Sequence, residues 1–248
     1  MWIARLVVAN LGLVAAAALA EVEIDTKVDS TAHSSEATVG NVRPGRILFL
    51  GNSITLHGPN ADIGWTNNWG MAASAMEKDY VHIMARSISA DTGTSPITMI
   101  ENIADLERKY GTYDPSRLTK ALDFKADTVI VAIGENVPAL DSEGSKTKFT
   151  KNMLKLLTDL KKGGNPTIIV RSSFWPDKIK DEILRQVCGV VDGVFVDIGG
   201  LSKDESHYAR SERSYAHSGV AAHPGDKGMQ AIADALLAAM KNAKAANE

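Results

Sequence analysis

The sequence predicts an α/β domain built on a mostly parallel sheet with helices covering both faces. Apolar runs of about five residues recur between residues 46 and 198, without the polar alternation of a half-exposed sheet. Between them lie segments of ten or more residues whose apolar positions fall three and four apart, the period of a helix. Strand and helix in alternation imply βαβ crossovers, hence parallel neighbours.

The first segment is not part of that pattern. Arg5 precedes the largely apolar stretch Leu6 to Leu19, and Ala18-Leu19-Ala20 puts small residues at the −3 and −1 positions before Glu21. This is the layout of a secretory signal peptide over residues 1–20, cleaved after Ala20, and it predicts a secreted or periplasmic protein. Asn10 and Gly12 interrupt the run, which is short of the ~20 residues of a membrane span, so no stable membrane anchor is expected. Residues 21–45 form a polar tail or linker with room for one edge strand, closed by the Pro44-Gly45 turn. Residues 46–248 are expected to form one domain.

Within that domain the expected strands are Arg46 to Leu50, Ile97 to Ile100, Thr128 to Ile133, Thr167 to Val170 and Val194 to Ile198. The expected helices are Asp79 to Ser89, Phe149 to Leu160, Asp177 to Val190 and Asp226 to Ala243, with Asp226 as a candidate N-cap. The 27 basic and 30 acidic residues give a formal charge of −3, which shows no nucleic-acid footprint. Cys188, the single cysteine, falls in an apolar helical pattern and reads as a buried core thiol, with no disulfide or cysteine-rich metal site available.

Ligands of parallel sheets bind beyond the carboxyl ends of the strands. Directly after the first strand stands Gly51-Asn52-Ser53, where a Gly permits a tight turn and Ser53 can present a nucleophilic hydroxyl. The base such a hydroxyl needs is His223, in His223-Pro224-Gly225 just before the last helix. His57 is a candidate substrate contact, His82 reads as structural, His33 falls in the tail, and His207 and His217 read as loop surface. Gly70 can offer an unobstructed backbone N–H and Asn136 a side-chain amide to a developing oxyanion.

Four ordered blocks, Gly51-Asn52-Ser53, Gly70, Gly134-Glu135-Asn136 and His223-Pro224, together resemble the SGNH (GDSL-like) hydrolases. The resemblance implies a flavodoxin-like three-layer α/β/α sandwich with a five-stranded sheet, and ester hydrolysis with neither metal nor cofactor. It implies Ser53 as nucleophile, His223 as general base and then acid, and the Ser53 N–H, Gly70 N–H and Asn136 amide as oxyanion donors. One position departs. The family carries an Asp three residues before the His, and here that residue is Val220. A backbone carbonyl near Val220, a strand-end acid such as Glu101, Glu135 or Asp197, or Asp226 remain as substitutes to orient the imidazole.

Trp65 and Trp69 bracket Asn67 and Asn68, and Trp175 follows the fourth strand. Loop aromatics can stack on sugar faces. With Asn52, His57, Asn67, Glu135 and Arg171 they make up the expected substrate-binding set. An export signal, these residues and the resemblance point to a carbohydrate ester, most simply an O-acetylated polysaccharide. A lipase, thioesterase or arylesterase acting on lipid-like esters, or a glycan-binding domain without turnover, are the alternatives.

Overall fold

The computed structural model describes residues 38–243; the expected signal peptide, His33 and the tail up to residue 37 lie outside the described residues. The elements are β1 (Arg46–Gly51), α1 (Tyr80–Thr92), β2 (Ile97–Asn102), α2 (Ala104–Arg108), α3 (Thr119–Asp123) and β3 (Thr128–Ala132). The second half adds α4 (Glu143–Lys162), β4 (Thr167–Arg171), α5 (Lys178–Val190), β5 (Val194–Val196), α6 (Ser218–Ala221) and α7 (Asp226–Asn242). All five strands are parallel, in the order β2-β1-β3-β4-β5. That is the flavodoxin-like order, with the topological switch between β1 and β3.

The sandwich follows from which way alternate strand residues point. Ile47 and Phe49 of β1, Ile130 of β3 and Ile169 of β4 face one layer, where they pack on Tyr80, Met84 and Ile88 of α1 and Met229, Ile232 and Leu236 of α7. Leu48, Leu50, Val129, Val131 and Ile168 face the other, against Leu106 of α2, Phe149, Met153 and Leu156 of α4, and Leu184 of α5. The inner strands β1, β3 and β4 are buried almost throughout, whereas β2 at the edge is half-exposed. Burial on both faces is what a run such as Ile-Leu-Phe-Leu encodes. Cys188 is buried in the second layer, where burial raises its thiol to about 11.

Three details differ from expectation. Helix α4 begins at Glu143, ahead of its first apolar residue, because Ser142 and Ser145 form a reciprocal capping box. β5 stops at Val196, and the short helices α2, α3 and α6 occupy segments too brief to show a period. Residues 39–42, placed in the tail by the sequence, form a Val39–Val42 bridge instead of an edge strand, and both valines share the first-layer cluster with Met240 and Ala243. No helix among the described residues is long and apolar enough to cross a membrane.

Candidate active site

Gly51 ends β1 at a point where the chain turns back on itself: a Cβ there would overlap the Thr55 side chain and approach the Ala132 carbonyl oxygen to 3.0 Å. Only glycine fits, and the turn it permits places Ser53 at the switch between β1 and β3. The Asn52 side chain shapes the same turn by accepting the Ile54 N–H (3.2 Å). From the far end of the sequence, α6 and the bend before α7 deliver His223. Its Nε2 lies 2.8 Å from Ser53 Oγ.

The opposite ring nitrogen settles the proton's place. His223 Nδ1 is 2.7 Å from the Gly219 carbonyl oxygen. A carbonyl only accepts, so Nδ1 carries the hydrogen and Nε2 is left as the acceptor for the Ser53 hydroxyl. Helix α6 is a single turn, and its last carbonyls have no intrahelical partner; the imidazole caps one of them. Of the substitutes for the absent Asp, the structure selects the main chain. Asp197 instead accepts from Ser172 Oγ and the Gly199 N–H, and Asp226 binds Ser74, Lys78 and Arg213. Trp175 packs edge-on against the His223 ring at 5.5 Å. Burial pulls the His223 pKa below its ordinary 6.5, against the hydrogen bond to Gly219, which favours the charged ring.

Val220, the residue at the position of the missing Asp, is buried against Trp65, Met71, Ala72 and Ala209. Val220→Asp is therefore expected to give no gain in turnover while lowering stability by about 2 kcal/mol or more, since it puts a carboxyl into an apolar cluster. Urea unfolding together with steady-state rates checks this; a large gain in turnover would contradict the carbonyl's role.

The site opens into a cavity of about 260 Å³ whose wall includes Ser53, His57, Asn102, Ala104, Arg108 and His223, with Ile63, Met71 and Val220 giving it an apolar side. His57 is where the sequence put it. His217, expected on the loop surface, also borders the cavity. Arg108 and Ala104 were not foreseen, whereas Asn102 falls at a strand end where ligands of parallel sheets are expected. The strand order gives the reason, because β2 lies beside β1, so the residues at its end flank Ser53.

The assignment of Gly70 is corrected by the partner its N–H already has. Its N–H donates to Asp79 Oδ2 (3.1 Å), the carboxylate that also caps α1 through His82, and is closed to an oxyanion. Gly70 is small because a Cβ would come within 2.6 Å of the Ile54 carbonyl oxygen. The Ser53 N–H, in contrast, has no acceptor among the described residues. Asn136 Nδ2 donates one proton to Glu107 Oε2 (2.8 Å), and its Oδ1 accepts from Arg108 (3.3 Å). Asn136 thus abuts the cavity through Arg108, with its second amide proton unengaged.

Behind Ser53 lies a buried polar network that accounts for three more corrections. Asn52 is fully buried, and its Nδ2 donates to Glu135 Oε2 (2.7 Å) and Glu107 Oε1 (3.2 Å). Glu135 also accepts from Arg171 (2.7 Å) and the Phe174 N–H (2.8 Å), with side chains 3% and 0% exposed for the Glu and the Arg. Asn52, Glu135 and Arg171 are scaffold, out of reach of substrate. Burial would raise Glu135, but the Arg171 guanidinium and the donated hydrogen bonds outweigh it and hold the carboxyl below the usual range. Glu107 is pushed the other way, by burial and by the Glu135 charge. It also accepts the Gly134 and Asn136 N–H groups, tying the turn after β1 to the turn after β3. No sequence motif announced Glu107; within Asp105-Leu106-Glu107-Arg108 it looks like any surface charge.

The tryptophans are likewise accounted for. Trp65 is buried with its indole N–H on the His57 carbonyl (2.9 Å), Trp69 donates to the Ala73 carbonyl (3.0 Å), and the two rings meet edge to face at 6.0 Å. Together with the His57–Trp69 and Asn60–Trp65 bridges they brace the loop between β1 and α1. They do not line the cavity, and neither does the half-buried Asn67. Trp175 packs on the His223 ring and does not line the cavity either.

No family model matches the sequence, and no curated protein matches it. Solved structures do. A protein of Bacteroides ovatus ATCC 8483 named as a GDSL-like lipase superposes with a TM-score of 0.53 at 14% identity, over 79% of this chain and 98% of that one. A family two carbohydrate esterase of Clostridium thermocellum, solved with cellohexaose, superposes with a TM-score of 0.53 at 19% identity, over 79% of this chain. This chain spans 63% of that esterase's length. At such identities the likeness establishes a shared fold, the α/β/α sandwich expected for an SGNH hydrolase.

Proposed function

We propose that the protein is a serine ester hydrolase that removes short acyl groups, most simply O-acetyl groups, from a polysaccharide or oligosaccharide outside the cytoplasm. The observation that carries the reading is the relay from Ser53 Oγ through the His223 ring to the Gly219 carbonyl, at 2.8 and 2.7 Å. A serine hydroxyl is inert near neutral pH unless a neutral, correctly tautomeric base takes its proton; burial of the ring and its Gly219 bond support both conditions.

In this mechanism Ser53 Oγ attacks the ester carbonyl while its proton passes to His223 Nε2. The carbonyl oxygen, now negative, is received by the Ser53 N–H and the second Asn136 amide proton, donors fixed before the charge arrives. The imidazolium then protonates the leaving alkoxide as its C–O bond breaks, leaving an acyl-Ser53 ester. Water, deprotonated by the same ring, releases the acid and restores Ser53. A neutral carbonyl stabilises the imidazolium less than a carboxylate would.

The size of the cavity supports a short acyl group: 260 Å³ lies under the ~300–1,000 Å³ usual for ligand sites. The layout of residues 1–20 supports export, and the esterase-like fold supports a saccharide carrier, both as proposals. A series of 4-nitrophenyl esters tests the reading. Activity is expected to be highest on acetate and to fall with chain length, with the acid limb of kcat/KM centred below pH 6.5, because the ring must be neutral and burial keeps it so to lower pH. Activity that rises with chain length would favour a lipid-like substrate. No turnover on any ester would favour glycan binding alone.

A further inference from the structure

The catalytic cavity is lined by ionisable groups of one kind. His57, Arg108, His217 and His223 stand on its wall, and among the described residues no carboxylate does. Among them Arg108 alone carries a permanent charge. Its side chain is 56% exposed, it reaches Asn136 Oδ1 at 3.3 Å, and the nearest carboxylate, Asp105, stands off at 3.9 Å. A guanidinium has five N–H donors, so most of this one's are open to a ligand.

The positive character continues outward. A second cavity, of about 490 Å³, shares Arg108 with the first and adds Lys109 and Lys148, again with no carboxylate among the described residues on its wall. Asp105 pairs with Lys109 at 3.3 Å, one carboxylate set against three cations. The chain as a whole has a formal charge of −3, so the cationic path is local and does not follow from bulk composition. Neither structural packing nor the proton relay accounts for it. Arg171, which the sequence offered as a substrate contact, is buried on Glu135 and out of reach.

We propose that Arg108 is the specificity-determining cation of the site, receiving the carboxylate of an acidic sugar unit that bears or adjoins the scissile ester, with Lys109 and Lys148 receiving the next acidic units. This rests on the ester-hydrolase reading. A planar guanidinium suits a carboxylate because two parallel N–H···O bonds can form at once. Lysines further out, more screened, steer the polyanion and make its capture depend on salt.

The test compares kcat/KM on O-acetylated polygalacturonate with that on O-acetylated glucomannan, and follows 4-nitrophenyl acetate alongside. The readout is the acidic-to-neutral ratio, which a general loss of catalysis does not move. Wild type is expected to prefer the acidic polymer by about tenfold or more, and Arg108→Gln to erase roughly tenfold of the ratio, mainly through KM, with Arg108→Lys recovering part. Lys109→Gln with Lys148→Gln should flatten the salt dependence of the ratio. An equal rate on both polymers, or a ratio unmoved by Arg108→Gln, overturns the inference while the esterase reading stands. Failure to hydrolyse any of the three esters overturns both.

Discussion

Ser53→Ala lowers kcat on 4-nitrophenyl acetate by about 10³-fold or more, His223→Ala does the same, and the double variant falls little further. The three results belong together. On the proposed mechanism nucleophile and base act as one unit across the 2.8 Å Ser53–His223 hydrogen bond, so removing either removes the acyl-enzyme route, and what remains comes from the oxyanion donors and binding. The Ser53 hydroxyl bonds only to His223 among the described residues, so Ser53→Ala is expected to leave the unfolding midpoint nearly unchanged. His223→Ala also loses the Gly219 bond and the Trp175 packing, and a modest drop in stability is expected there. Single-turnover kinetics with circular dichroism separates the two effects. A Ser53→Ala protein that keeps a tenth of its activity would rule out the covalent mechanism.

The largest expected effect on stability is at Arg171. Arg171→Met should lower the unfolding free energy by about 3–5 kcal/mol, measured by urea titration, because it leaves the buried Glu135 carboxylate without its counter-charge. The loss has a second part. Glu135 stands close enough to Glu107 for its charge to raise the Glu107 carboxyl, with Asn52 donating to both, so the guanidinium holds a two-carboxylate cluster in place. Adding Glu135→Gln should recover part of the loss by removing the orphaned charge, though not all, since the Phe174 N–H and Asn52 lose an ionised acceptor. A change under about 1 kcal/mol for Arg171→Met would mean that water already reaches the pair.

How far the sequence speaks for itself varies with the range of the interaction. The strands were legible because burial on both faces leaves an unbroken apolar run, and the long helices because one apolar face leaves a period. Ser53 and His223 were legible because each sits at a marked junction, a Gly turn after a strand and a Pro-Gly bend before a helix. Gly70 misled for an instructive reason: a glycine can be small to let backbone pass as well as to bare an N–H, and only the position of Asp79 tells which. Asn52, Glu135 and Arg171 were read as substrate contacts because polar residues at strand ends usually face the ligand. Here they meet each other across three strands, a pairing between residues 36 and 83 positions apart that no local pattern records. Arg108 went unnoticed because its placement depends on β2 lying next to β1.

The Gly219 carbonyl gives the catalytic unit an unusual relation to change. A side-chain orienter can be deleted by one codon, and it can pick up a proton in acid; a main-chain oxygen does neither. The oxygen belongs to the backbone and not to a side chain, though a Cβ at position 219 would come within 2.8 Å of the His217 ring, so what fixes the tautomer is written in the path of the backbone and in the single turn of α6. The unit is vulnerable instead to whatever unwinds that turn, which makes local folding of residues 217–223, more than the identity of any one of them, the quantity on which the His223 tautomer depends.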